Sequence, residues 1–264
     1  LFCLCSKSTQ RLASLSSFPV YFLAKMADLQ KFSELLKTLI SSNNQERQQA
    51  ETMYQQAKAS EPEQLVVGLL GLVASDQADQ AVRSQAAVLL RQLSTQGVEK
   101  DFAFGRLSPD TKGQVAAELL KRFEIEGDAK LQAKVGDVIA KVADCACDAN
   151  DNKGWLSSAS AGWPALLPQC FRMADAAQNS SVLSCEASIR LLKKLVPTMK
   201  ASIVQAQQQL GAVLQNAFAH QEPKIKVAAV LLICEIVGCV EKKDWAPLMA
   251  TATVMTQILQ QVAQ

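Results

Sequence analysis

Leu29, Phe32, Leu35, Leu36, Leu39 and Ile40 fall at i, i+3, i+6, i+7, i+10 and i+11, with polar residues between them. That spacing is one apolar face of an α-helix. Leu131, Val135, Val138, Ile139 and Val142 repeat it, as do Val182, Cys185, Ile189, Leu192 and Val196. Nowhere do β-branched and aromatic residues alternate with polar ones at period two between turn residues, so the pattern predicts an all-α chain. Proline supplies the punctuation. Pro62, Pro109, Pro164, Pro197, Pro223 and Pro247 each stand just before or at the start of an amphipathic run, where a fixed φ and a missing N–H cost nothing. Glu61-Pro62 and Ser108-Pro109 read as helix starts, with Glu63 and Asp110 near the positive helix end. Asn43-Asn44, Asp76, Gly127-Asp128 and Asn179-Ser180 mark the breaks between runs.

Cutting at these signals predicts antiparallel helix pairs: 28–41 with 44–58, 62–75 with 78–96, 109–125 with 128–147, 163–176 with 179–196, and 198–220 with 223–240. A last helix, 245–263, has no partner. The second helix of each pair carries a polar or basic residue followed by small ones, as in Arg47-Gln-Gln-Ala50 and Arg83-Ser-Gln-Ala86-Ala87. Alanines 50, 86, 133, 187 and 229 mark this signature at intervals of 36, 47, 54 and 42 residues. A helix pair recurring every ~40–47 residues is the HEAT or armadillo period. The expected fold is therefore an α-α superhelix of right-handed sense, a HEAT-type solenoid of about five helix pairs plus one unpaired helix. Each pair in such a fold buries its apolar face only against its neighbours, so the core lengthens instead of thickening. Val227–Val240 is apolar nearly all round, as suits an inner helix covered on most sides. The final helix presents Leu248, Val254, Ile258 and Leu259 with no polar capping repeat after it, so a continuation of the solenoid is expected.

Composition narrows the picture. The chain has 264 residues, 49% of them hydrophobic and 20% charged, which excludes a disordered chain and a coiled coil. Its 27 basic and 25 acidic residues are too balanced for a nucleic-acid binder. Residues 1–25 hold three bases and no acid, and Met26-Ala27-Asp28 resembles a natural start. That leader is read as upstream translated sequence or a cloning remnant outside the fold, with an organellar transit peptide as the alternative; residues 26–264 form the solenoid. No apolar run is long enough to span a bilayer, so no membrane insertion is expected. The eight cysteines lack C-x₂-C spacing, and Cys145 and Cys147 would point about 200° apart on a helix. Reduced, buried thiols follow, and with them a reducing compartment. With a single histidine, His220, and no phosphate-binding or nucleophile motif, neither catalysis nor a cofactor is expected. His220 reads as a dipole partner at a helix C-terminus.

Two stretches carry a family resemblance. Val82-Arg83-Ser-Gln-Ala86-Ala87-Val-Leu89-Leu90-Arg91 is similar to the second-repeat signature of the importin-β (karyopherin-β) N-terminal domain. Gly162-Trp163-Pro164-Ala-Leu166-Leu167-Pro168 resembles that domain's Trp-Pro-x-Leu-Leu-Pro motif, in the right order and two helices further on. Ser41–Glu51 and Gly105–Ser108 are most similar to the karyopherin β-3, or importin-5-like, group. From the residues themselves, Ala86 and Ala87 let two helices approach closely while Leu89 and Leu90 fill the core. Trp163 covers the preceding pair, Pro164 takes position N1 of a helix, and Pro168 loosens or bends its first turns.

The resemblance implies a nuclear transport receptor that shuttles between cytoplasm and nucleus. It implies GTP-bound Ran on the second helices, phenylalanine-glycine nucleoporins between first helices, and protein cargo with basic localisation signals. It also implies release of one ligand by another through linkage. The residues expected to face Ran are Arg47, Glu51, Arg83, Arg91, Lys134, Asp137 and Lys141. Taken singly, each of these also suits a solvated helix face with weak i,i+4 pairs. Two departures stand out. Acidic character is muted, and 148–162 duplicates Gly-Trp at 154–155, either as an inserted loop or as a misjoined exon. The competing class is another HEAT scaffold, of the phosphatase-scaffold or TOG type, which keeps the helix pairs without the Trp-Pro motif.

Overall fold

The computed structural model describes residues 18–95, 103–146 and 163–239. Within them the chain forms ten α-helices and one short 3-10 turn: α1 Phe18–Leu39, α2 Asn44–Ser60, α3 Pro62–Ala74, α4 Gln80–Leu93, the turn Phe104–Arg106, α5 Pro109–Ile125, α6 Ala129–Ala146, α7 Leu166–Ala174, α8 Val182–Gln205, α9 Gln207–Ala219 and α10 Pro223–Cys239. No strand occurs among the described residues. The helix expected at 245–263 and the duplicated Gly-Trp lie outside them, as do Cys3, Cys5 and Cys147.

Local chemistry explains the starts. Asn43 accepts the Gln45 N–H at the head of α2, Ser108 accepts the Thr111 N–H ahead of Pro109, and Ser181 accepts the Ser184 N–H before α8. Asp128 does the same for Leu131 before α6. Each side chain satisfies one of the orphan donors of a first turn.

Odd and even helices form two layers. Each odd helix packs on the even one after it, α1, α3, α5, α7 and α9 follow one another in the first layer, and α4, α6, α8 and α10 do so in the second. One continuous core runs between the layers, from Leu36 through Leu69, Leu90, Leu119, Ile139, Leu166 and Leu192 to Leu232. This is the all-α solenoid of stacked pairs that the spacing predicts. A close crossing joins α1 to α3: a Cβ added at Gly68 meets the Phe32 ring at 2.4 Å, and one at Gly71 meets Leu29 at 2.6 Å.

Four local expectations change. The first helix, expected at 28–41, spans Phe18–Leu39. Pro164 is not at N1: Trp163 and Pro164 form a turn closed by the Leu166 N–H donating to the Trp163 carbonyl, and α7 begins at Leu166. That places Pro168 at N3, among the first-turn positions whose N–H has no intrahelical partner, so its ring bends nothing. Pro197 does not start a helix but lies inside α8, whose one non-helical residue, Met199 (φ −115°, ψ 24°), follows two positions on. A mid-helix proline frees the carbonyl four residues back and crowds it, which kinks the helix without ending it. Finally, α10 is not covered on most sides. Val227, Val230 and Val237 are exposed while Ile225, Ala228, Ala229, Leu232 and Ile236 are buried, because among the described residues α10 packs mainly on α8 and α9.

Candidate docking surface on the second helices

Parallel stacking of α4, α6 and α8 brings distant charges into one row. The Asp137 carboxylate on α6 lies 3.7 Å from Arg91 Nη1 on α4 and 2.5 Å from Lys194 Nζ on α8. One turn along α6, Lys141 Nζ stands 2.8 Å from Asp144, whose other oxygen accepts the Thr198 hydroxyl of α8. Lys134, on the same face as Asp137 and Lys141, forms no ion pair among the described residues. Arg190 lies one turn before Lys194 and donates to Glu186 at 2.8 Å. Lys193 reaches Glu235 on α10 at 3.9 Å. Of the expected residues, Arg91 on α4 and Lys134, Asp137 and Lys141 on α6 thus share one partly exposed surface, which Lys194 and Thr198 continue onto α8.

Arg47 and Glu51 sit apart from that row, on α2. They face each other one turn apart at 3.8 Å, and Arg47 Nη2 also donates to the Asn44 side chain at 2.6 Å.

Arg83 is the exception. It is buried, its Nε and Nη2 donate to the Val73 carbonyl at 3.3 and 3.2 Å, and Nη2 meets Glu126 at 2.5 Å. Glu126 also accepts from Arg122 Nε and Nη2 at 2.9 and 2.7 Å, and Arg122 Nη1 reaches the Ala74 carbonyl and Asp76. This knot joins the end of α3 to the α5–α6 turn and satisfies carbonyls that a helix C-terminus leaves open. Arg83 is therefore a structural tie between the second and third pairs, not part of an open face. Burial works to raise the Glu126 pKa, but the Asp128 amide, Arg122 and Arg83 together hold its carboxyl below the usual range. Sequence reasoning passed over Arg122 and Glu126; their i,i+4 spacing was the one available signal.

The motif residues are placed for packing. Ala86, Ala87 and Leu90 are fully buried on α4, and Leu89 nearly so. Trp163, Leu166 and Leu167 are buried, whereas Pro164 and Pro168 face solvent.

Thiols and the histidine do quieter work. Cys185 Sγ donates to the Ala174 carbonyl at 3.1 Å and Cys145 Sγ to Ser94 at 3.2 Å, so both bond carbonyls at or just beyond helix C-termini. Burial pushes the Cys170 thiol up to about 12 and, with help from Asp175 and Glu186, that of Cys185 to about 11, which keeps both protonated. His220 accepts the Glu222 N–H through Nδ1 at 3.0 Å and so closes the turn into α10, instead of pairing with a helix dipole. Among the described residues no cluster of three His, Cys, Asp or Glu gathers as metal ligands, and no helix is long and apolar enough to cross a membrane.

No protein-family profile matches the chain. Over 116 residues it is 34% identical to a probable importin-5 homolog of Dictyostelium discoideum, a match covering 44% of the chain and 11% of that protein. Among solved structures it is similar to Kap121p, at 19% identity over 89% of the chain, with a TM-score of 0.69. Kap121p bound to RanGTP matches at 19% identity over 89% of the chain, with a TM-score of 0.65. Kap95p, whose binding induces the switch loops of RanGDP to adopt the GTP-bound conformation, matches at 15% identity over 87% of the chain with a TM-score of 0.66. At these identities the likeness to solved structures establishes the fold. The chain spans 20% of Kap121p and 26% of the Kap95p chain.

Proposed function

We propose that this chain belongs to the importin-β (karyopherin-β) family and contributes the Ran-binding end of a nuclear transport receptor that shuttles between cytoplasm and nucleus. The supporting observation is the row on α4, α6 and α8, where Arg91, Lys134, Asp137 and Lys141 share one accessible surface on the second helices. A protein docking across three stacked helices senses their spacing, so it favours one curvature of the solenoid over others. Ligands that favour different curvatures displace each other by linkage, and no bond is made or broken by the receptor. Arg47 and Glu51 extend the footprint to the first pair. Arg83 takes no direct part because it is buried and tied to Val73 and Glu126.

Nucleoporin phenylalanine-glycine repeats are assigned to the first layer, where Val67 on α3 and Ile125 at the end of α5 are exposed. Such an assignment accords with Kap121p having been solved bound to Nup53p. Cargo with basic signals is assigned to other repeats of the receptor, since the second layer here is itself basic. The competing reading is another HEAT scaffold, of the phosphatase-scaffold or TOG type.

Isothermal titration of the 264-residue chain with Ran is the test. Ran loaded with GTP should bind at micromolar concentration or tighter, and Ran loaded with GDP markedly more weakly. Equal binding of the two forms, or none of either, overturns the reading.

A further inference from the structure

The overall charge balance hides a division by layer. Helices α4, α6, α8 and α10 carry eleven basic residues against four acidic ones, whereas α3, α5, α7 and α9 carry four of each. Leaving out Arg83, which Glu126 neutralises in the interior, the second layer still has a surplus of six positive charges. Stacking concentrates them, because Asp137 is already held by Arg91 and Lys194 at once and Glu186 by Arg190. Lys134 and Lys130 on α6, and Lys224 and Lys226 on α10, form no ion pair among the described residues. Lys134 and Lys141 stand two turns apart on one face, about 10 Å along the helix.

We propose that the second-layer face of α4, α6 and α8 docks an acidic peptide segment of a partner protein, with its carboxylates meeting Arg91, Lys134, Lys141, Arg190 and Lys194. Two features favour a peptide over a nucleic acid. None of α4, α6, α8 or α10 contains a Phe, Tyr or Trp, so no platform exists on which bases could stack. Asp137, Asp144 and Glu186 also interrupt the cations, which repels an unbroken phosphate backbone yet suits carboxylates spaced along a peptide. Recognition is long-range and charge-driven, so it accelerates encounter and weakens as salt screens it.

The inference is independent of Ran, and its test contains no GTPase. Fluorescence anisotropy of the full chain is measured with three labelled probes: a Glu-Ser repeat peptide, a Lys-Ser repeat peptide of equal length and a single-stranded oligonucleotide of equal charge. The acidic peptide should bind best at low salt and weaken steadily toward about 0.15 M salt. The double variant K134E/K141E should weaken it by about tenfold or more, while K121E, on exposed first-layer α5, should leave it within twofold. Far-UV circular dichroism checks that each variant folds, and the three-probe comparison on the unmodified chain stands without any variant. Equal or tighter binding of the basic peptide or the oligonucleotide, or an equal loss in K121E, overturns the proposal.

Discussion

Glu126 is one of four buried charged residues among those described. Its carboxylate gathers two guanidinium groups in the interior, and its pKa is held below the usual value by the Asp128 amide and both arginines despite the opposing effect of burial. The folded chain thus binds this proton less readily than the unfolded chain. The stabilisation is fully present above the unfolded value, about 4.3, and is lost as pH falls through the lower folded value. Urea titrations over a pH series should show that loss. Glu126→Gln should cost about 3–5 kcal/mol at neutral pH, because it leaves two buried cations short of their anion. The variant should also have a flatter acid limb, and an unchanged limb would place the acid sensitivity elsewhere. Arg83 shows the other side of this arrangement. Its sequence context matches that of Arg91 in type and helix, yet Glu126, 43 residues away in sequence, draws one inward and leaves the other at the surface.

Helices meet here through their small residues. Gly68 and Gly71 on α3 let Phe32 and Leu29 of α1 approach within van der Waals range of the α3 backbone. A helix-interior Gly→Ala change normally stabilises by about 1 kcal/mol. At Gly68 the sign should reverse, because the new methyl would stand 2.4 Å from a ring carbon and the aromatic ring must shift. We expect Gly68→Ala to lower stability by about 1–3 kcal/mol, read from thermal or urea unfolding, while Gly113→Ala on α5, where nothing lies within 4 Å, should not destabilise. A stabilised Gly68→Ala would mean that α1 and α3 pack less closely than the structure has them. Prolines show a similar dependence on setting. Pro62, Pro109 and Pro223 open helices, Pro168 is neutral in a first turn, and Pro197 kinks α8 internally.

A solenoid has no centre, so its stability is a chain of neighbour-to-neighbour terms. α6 packs against α4 and α8 as well as its own partner α5, and eleven of its eighteen residues are buried; α2 buries only Ala50 and Tyr54. Native-state hydrogen exchange should therefore be slowest in α6 and the adjoining parts of α4 and α8, and fastest in α2. Uniform protection from α2 to α10 would show a single cooperative unit instead. On the proposed reading, graded stability would let curvature change, since local shifts between neighbouring pairs sum along the stack.

Helical periodicity, proline placement and capping residues are local properties, and they determined the all-α class, the pairing order and most helix ends to within a few residues. The spacing of second-helix alanines was enough to infer stacking. Distant pairing was beyond them. Nothing near Arg83 announces Glu126, nothing near Pro197 says that α8 continues, and a balanced composition gives no hint that charge divides between layers. Those outcomes depend on which helices stand side by side and on which turns reach across from one pair to the next. Only the packed solenoid sets that, because ion pairs, buried carbonyls and exposed faces are relations between segments about 40–60 residues apart.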